Sequence, residues 1–383
     1  MTKSWTITMT KKIRTYKSGN FIFSKEFSNE KLSGVLIEAK ILYKTISDLP
    51  ILPELSTRLE EEIIRRSIFG TAALEGNPLK EEEVAEIIAE PSKVKKLERG
   101  EKEIQNLKSV YDFVREIKVP STTPFLIEEA LIKKVHAIIT RGIRYHNNEP
   151  GVYRNTLVKV GDADHGGVYT PPKCLPDIET LMKEFFPWMN SEEIITLPPE
   201  IRAAMAHYYL GLIHPFGDGN GRTARIIEAL LLRMSGIRYV PVMLSNFYYR
   251  NIDDYFLAFS NARKNKGDIT PFLEFVLRGV VESLNEIRER IVGFIRRFSL
   301  RDYYSYLKSS REITQRQHDF LIMLLDYTKP FILEDLSTVS PLRILFRKVS
   351  ERTVRRDLKK LCEKDLLILT EKSKYALNTR VLG

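Results

Sequence analysis

The sequence predicts an all-α chain with one small β-hairpin flap, followed by a C-terminal winged helix-turn-helix. Three observations carry that prediction. Apolar residues recur at three- and four-residue spacing through most of the 383 residues, one internal segment alternates instead, and the chain closes on a basic helix followed by two short alternating runs. In order, the helical text is RLEEEIIRRSIFGTAAL from Arg58, KEEEVAEIIAE from Lys80, LIEEALIKKVHAII from Leu126, EIRAAMAHYYLGLI from Glu200 and ITPFLEFVLRGVVESLNEIRERIVGFI from Ile269. The exception runs from Pro150 to Pro172, where TLVKV alternates and is β-branched and GDADHGG supplies a turn, so a hairpin projecting from the helices is expected.

Strongly helical text ends near Phe298, and the polar RDYYSYLKSSRE from Arg301 reads as a junction. Beyond it a helix is expected from Thr314 to Asp326. A second follows, capped by Ser350 and running through Leu361, with Val354, Leu358 and Leu361 on its inner face. LLILT and KYALN, around the turn-like EKSK, form the expected wing. Three domains follow from this reading: residues 1–99, 100–298 and 299–383. Internal repeats and low-complexity tracts are absent from the sequence.

With 43% hydrophobic and 10% aromatic residues, the chain can bury a large core. It has no run of eighteen apolar residues, and MTKSWTITMTKKIRTYK lacks an apolar signal region, so no membrane association and a cytoplasmic location are expected. Cys174 and Cys362 stand far apart, without ligand-spaced neighbours, which argues against a disulfide framework or a zinc site. The net charge of +10 favours anionic partners, either nucleotides or nucleic acid. Part of it is concentrated between Arg343 and Lys360, where eight basic residues face two acidic ones.

The densest chemistry lies in HPFGDGNGRTAR, His214 to Arg225. Gly217, Gly219 and Gly221 allow a tight turn just before the periodic run ARIIEALLLRM, so a helix N-terminus points into the loop. Its free amides and dipole make an anion site, and Arg222 and Arg225 add guanidinium forks suited to phosphate. The segment before the loop is a helix and GxxxxGK[ST] is missing, which disfavours P-loop and dinucleotide folds. Asp218 inside an anion loop implies a bridging hard cation, most simply Mg²⁺. His214, four residues ahead, can accept a proton from an attacking hydroxyl. Base, metal ligand and anion cradle occur in the order that phosphoryl or nucleotidyl transfer needs.

HPFGDGNGRTAR resembles the Fic motif, H-x-F-x-D/E-G-N-G-R-x-x-R, at every specified position. The resemblance implies an all-helical Fic fold that transfers AMP from Mg-ATP to a serine, threonine or tyrosine hydroxyl of a target protein or of the chain itself. It makes His214 the general base, Phe216 the loop's anchor and Asp218 the metal ligand. Gly219, Asn220 and Gly221 would line the α- and β-phosphate site, Arg222 and Arg225 would hold the outer phosphates, and Thr223 and Ala224 belong to the same ATP-binding run. A lysine in place of the second glycine marks the phosphotransferring Doc branch, so GNGR favours nucleotidyl transfer. Thr156 to Pro172 is similar to the family's flap, with Val160 and Gly161 near the nucleotide and a target segment added as a strand. The text from Asp253 is similar to its adenine side, with Tyr255, Phe256 and Asn265 as contacts.

Upstream, Thr71 to Gly76 resembles the S/T-x-x-x-E-G/N inhibitory motif of Fic proteins. Thr71 and Glu75 are one helical turn apart and Gly76 ends the helix, so Glu75 could pair bidentately with Arg225 and block the productive ATP pose. In other members of the family the same glutamate aligns a water that removes AMP, and both roles are open here.

His136 and His207 lie on apolar helices and read as satisfied core histidines; His146, His165 and His318 sit in polar text and need no role. For Glu149 and Arg154, flanking the flap, a solvated or packing role and a catalytic one are both open. In SERTVRRDLKKL, the side chains Arg352, Arg355, Arg356 and Lys359 suit nucleic-acid contacts, with protein docking equally open. A rival reading follows: a DNA-binding transcriptional regulator whose Fic pocket only senses nucleotide. A homodimer is compatible with the sequence and not specified by it.

Overall fold

The computed structural model describes residues 10–90, 98–119, 124–144, 148–237, 240–370 and 373–382. A hairpin of β1 (Thr10–Arg14) and β2 (Asn20–Ser24) precedes α1 (Asn29–Asp48), α2 (Pro53–Ala73), α3 (Glu81–Ala89), α4 (Arg99–Glu116) and α5 (Glu129–Thr140). Next come α6 (Leu175–Met189), α7 (Glu192–Ile195), α8 (Pro199–Ile213), α9 (Asn220–Met234), α10 (Val240–Arg250) and α11 (Ile252–Lys264). The chain continues through α12 (Thr270–Ser309), α13 (Gln315–Asp326), the short α14 (Asp335–Thr338) and α15 (Arg343–Phe346), then α16 (Glu351–Glu363), β3 (Leu367–Leu369) and β4 (Tyr375–Leu377). Mainly helical architecture is therefore what the apolar spacing predicts. Two compact units result: Met1–Asp48 with Leu52–Arg288, and Leu49–Ile51 with Glu289–Gly383. The division falls inside α12, and apart from Leu49–Ile51 the first 99 residues share a unit with the helices up to Arg288.

In the first unit α8 is the central helix. Every residue from Ile201 to Leu210 is buried, as suits a segment apolar on nearly all sides. α9 packs along it, and α2 packs on α10. The hairpin, with Thr10 opposite Ser24, is not among the elements that helical periodicity predicts. Basic residues on its outer face mask the alternation. It is tied to the core by Tyr209 of α8, whose hydroxyl accepts from the Ser24 N–H at 2.8 Å and donates to the Ser24 carbonyl at 3.0 Å.

Three expectations need correction. The flap between Pro150 and Pro172 is not a laddered hairpin, because its pairing is reduced to a single antiparallel bridge, Val160 with Tyr169. Gly161 and Gly167 take φ of 86° and 94°, outside the strand region, and cut the ladder in both arms on its turn side. The segment from Arg301 is not a junction. α12 continues to Ser309, since Leu300, Tyr304 and Leu307 form a buried helical stripe within polar text. Ser350 precedes α16 in extended backbone, but its hydroxyl bonds the Thr353 hydroxyl at 2.9 Å rather than a backbone amide.

The second unit has its own core, in which Leu300, Tyr304 and Leu307 of α12 join Phe320 and Leu324 of α13, Phe346 of α15, and Val354, Leu358 and Leu361 of α16. α13 starts in a capping box: the Thr314 hydroxyl accepts from the Gln317 N–H at 3.3 Å, and Gln317 Oε1 accepts from the Thr314 N–H at 2.9 Å. β3 and β4 pair antiparallel, and Phe331 bridges to Tyr375 as a third, minimal strand that the sequence does not announce.

Candidate active site

α8 ends at Ile213 and α9 begins at Asn220, so residues 214–219 must reverse the chain. His214 closes α8 in the left-handed region, with φ 49° and ψ 58°, where a side chain other than glycine is strained by roughly 1–3 kcal/mol. Arg154, buried at the base of the flap, holds it there. Its Nε donates to the His214 carbonyl at 2.8 Å, Nη2 to the Pro172 carbonyl at 2.8 Å and Nη1 to the Thr156 carbonyl at 2.5 Å. The Arg154 N–H also donates to the Pro215 carbonyl at 2.9 Å. One side chain thus joins both arms of the flap to the loop.

Further along, Asn220 closes the turn: its Oδ1 accepts from the Phe216 N–H and its Nδ2 donates to the Phe216 carbonyl, both at 2.9 Å. The Phe216 ring is 1% exposed and stacks on His136 at 3.7 Å between centroids. His136 Nδ1 accepts from the Gly151 N–H at 2.9 Å, so the proton sits on Nε2, which donates to the Asp218 carbonyl at 2.8 Å. Burial pushes the His136 pKa down to about 4, which keeps this neutral tautomer. Loop, flap and α5 are in this way fixed to one another. The first intrahelical bond of α9 is Thr223 N–H to the Gly219 carbonyl, and the amides of Asn220, Gly221 and Arg222 stand ahead of it.

The loop opens onto a cavity of about 310 Å³. Of the residues selected from sequence, it brings together Glu75, Val160, Gly161, His214, Gly221, Ala224, Arg225, Tyr255 and Phe256. His214 Nδ1 donates to the Gly211 carbonyl at 3.4 Å, which leaves Nε2 as the proton-accepting nitrogen. Burial, and secondarily the Arg154 charge, pushes its pKa down to about 4, so the imidazole is neutral at physiological pH.

Arg225 is the cavity's buried cation. Nη2 contacts Glu75 Oε1 at 2.7 Å and the Thr71 carbonyl at 3.2 Å, while Nε donates to the Thr71 hydroxyl at 2.7 Å. The bidentate pair expected of Glu75 is therefore replaced by one carboxylate oxygen, because Thr71 occupies the other guanidinium edge. Burial works against the Glu75 carboxylate, but the charges of Arg225 and Arg222 overcome it and hold the pKa below the usual range. Gly221 lies so close to Glu75 Oε1 that a Cβ there would collide with it.

Other selected residues lie off the cavity. Arg222 turns its Nη2 to Asp218 at 3.0 Å and its Nη1 to Glu103 at 3.7 Å, so it braces the loop. Gly219 caps α9, Thr223 is buried, and the Asn220 amide is committed to Phe216. Asn265 is exposed at the C-terminal end of α11 and is replaced on the cavity wall by Phe259, Ser260 and Arg263. The missed signal was the i, i+4, i+8 stripe Tyr255, Phe259, Arg263, from which Asn265 rotates away.

His136 and His207 are satisfied, as expected. His207 Nδ1 donates to Glu228 at 3.0 Å and Nε2 accepts from the Tyr255 hydroxyl at 2.9 Å. His165, by contrast, does take a structural part. It lines the cavity, with Nδ1 on Asp162 at 2.8 Å and Nε2 on Asp253 at 3.0 Å, clasping the flap to α11. Arg154 is a packing residue, Glu149 is exposed, and His146 lies outside the described residues.

Residues 126–232 match the Fic/DOC family. A protein adenylyltransferase Fic from Culex quinquefasciatus is 31% identical over 222 residues, 57% of this chain and 40% of that protein. Its namesake from Nematostella vectensis is 39% identical over 133 residues, 35% of this chain and 28% of that protein. The chain thus spans less than half the length of these curated relatives. Among solved structures, a Fic family protein from Desulfovibrio desulfuricans G20 shares the fold with a TM-score of 0.57 at 20% identity, over 92% of this chain and 97% of that one. A Fic domain containing signaling protein from Bacteroides thetaiotaomicron does so with a TM-score of 0.54 at 20% identity, over 68% and 97%.

Arg154→Ala leaves three carbonyls without their charged donor and releases the strain at His214. It is expected to destabilise the chain by about 1–3 kcal/mol, read from the urea midpoint, and to speed proteolytic cleavage within residues 155–170.

Proposed function

We propose, from the premise that residues 126–232 form a Fic domain, that this chain is a protein adenylyltransferase, transferring AMP from ATP to a hydroxyl of a target protein or of itself. One observation carries the reading: a neutral, half-buried imidazole, the amino end of α9 and the Arg225 guanidinium all meet at one cavity. The names of the curated relatives support the same activity. In this reading the target hydroxyl gives its proton to His214 Nε2 and its oxygen attacks the α-phosphorus. The bond from that phosphorus to the bridging oxygen breaks, and pyrophosphate leaves. The amides at the start of α9 and Arg225 stabilise the charge that moves onto the leaving group. Tyr255, Phe256 and Phe259 offer an aromatic wall for the base.

Asp218 suits a divalent cation, since Arg222 and the Gly219 N–H both engage Oδ1, leaving Oδ2 for a hard ligand. Mg²⁺ there would neutralise phosphate charge, with phosphate and water oxygens completing its shell.

The Glu75–Arg225 contact supports an autoinhibited resting state, because it occupies the guanidinium that the outer phosphates would need. A water-aligning role for Glu75 in AMP removal rests on the same residue and is the alternative tested below.

Three outcomes are expected. His214→Ala should lower AMP incorporation from labelled ATP at least ~100-fold while ATP binding, measured calorimetrically, changes little. The wild-type kcat/KM should stay flat as pH falls through 6, where an ordinary histidine titrates. It should decline only near the depressed value of about 4, because protonation below that pKa removes the base. Glu75→Gly removes a charge-assisted bond worth more than ~1.4 kcal/mol, so intact-mass analysis after incubation with Mg-ATP should show AMP added about tenfold faster or more. Unchanged incorporation, with slower loss of AMP from modified protein, would assign Glu75 to removal instead.

A further inference from the structure

We propose that the second unit is a winged helix that binds duplex DNA through the outer face of α16, an inference independent of the chemistry at the cavity. Charge is the first ground. Residues 289–383 hold 20 basic and 12 acidic residues, a net +8 of the chain's +10. Element order is the second: α13, the Phe331 strand, α14 with α15, α16, β3 and β4 follow the helix–strand–helix–helix–strand–strand order of that module, with α16 in the recognition position.

The decisive ground is how α16 sorts its side chains. Arg352, Arg355, Arg356 and Lys359, at i, i+3, i+4 and i+7, form one exposed stripe, while Val354, Leu358 and Leu361 are buried on the other side. Asp357 would cancel part of that stripe, but it is turned inward and is 4% exposed. There it accepts from Arg316 Nε at 2.8 Å and Gln317 Nε2 at 3.0 Å, so the interior of the unit absorbs its charge. Glu351 is engaged by Arg355 at 2.6 Å, and Arg352 and Arg356 have no ion-pair partner among the described residues. Arg343, Arg347 and Lys348, exposed at and after α15, extend the positive surface beyond the helix. The major groove, about 12 Å wide, admits an α-helix, and a stripe of three arginines and a lysine along it suits base edges and the flanking phosphates. An acidic protein partner fits the local order of elements less well, because nothing in it calls for a protruding helix beside a hairpin.

The test uses the full-length chain and a labelled duplex of about two helical turns (~20 bp). Fluorescence anisotropy is expected to show binding at low salt, with log K falling against log salt at a slope near −3.6 for ~four phosphates. The variant R352A/R355A/R356A/K359A should bind ~100-fold more weakly or worse, and Arg356→Ala alone should flatten the slope by about 1. Removing two exposed charges of α1, Lys31→Ala with Lys40→Ala, should change neither. All six positions are exposed, so unchanged urea midpoints would show that folding is intact. Absence of duplex binding at low salt, or full binding by the four-fold variant, would overturn the proposal.

Discussion

The first unit depends on a constraint of chain geometry. Six residues must carry the backbone from the buried α8 into α9 while leaving the amino end of α9 open. A turn of that length inside a core cannot satisfy its own polar groups, so neighbouring elements do it. Asn220 closes the loop on Phe216, His136 holds it from α5, Asn148 accepts the Asp218 N–H at 3.0 Å, and Arg154 ties it to the flap. Each bond is small, on the order of 1 kcal/mol net, but leaving any of these buried groups unpaired would cost more than the bond is worth. The loop's backbone groups are thus paired by side chains from α5, the flap and α9.

The two arginines of the motif illustrate the same economy. Both are buried and sit one turn apart, yet they do different jobs. Arg222 is absorbed by Asp218 and Glu103 and braces the loop from within. Arg225 projects into the cavity, where Thr71, Glu75 and Tyr255 meet it. A guanidinium with one carboxylate oxygen on one edge and a hydroxyl on the other is easier to free than one held bidentately. The partner Glu75 also lies just past the end of α2, in the turn that closes at Gly76 with φ 79°. Under the proposed autoinhibition, such a contact suits a reversible hold on the cavity better than a permanent one.

Much of this was legible in the sequence. Helical spacing located α2, α3, α5, α8 and the start of α12, and the run His214 to Arg225 identified the loop, because glycine, histidine and arginine have few structural reasons to cluster next to an apolar helix. What escaped had identifiable causes. Polar residues outnumber Leu300, Tyr304 and Leu307 along the end of α12, so its stripe looked like a junction. The flap's alternation was real, but its glycines removed the pairing that alternation usually signals. The resemblance that implies Asn265 as a contact does not fix its angle around α11, and at that helix's C-cap it turns away from the cavity. Arg154, His136 and His165 lie far from the motif in sequence, and their parts depend on backbone carbonyls and carboxylates that only the fold brings near.

Net charge was the least specific clue, and the structure explains why. In the first unit Arg225 is balanced by Glu75, and Arg222 by Asp218 and Glu103, so neither guanidinium adds net charge there. Residues 1–288 carry a net charge of only +2, with 40 basic against 38 acidic residues. Nearly all the excess lies in residues 289–383, where Asp357 is folded inward and the arginines of α16 are turned out. Buried arginines can therefore add nothing to the charge of their unit, and a strongly basic chain can owe its charge to a surface remote in sequence from them.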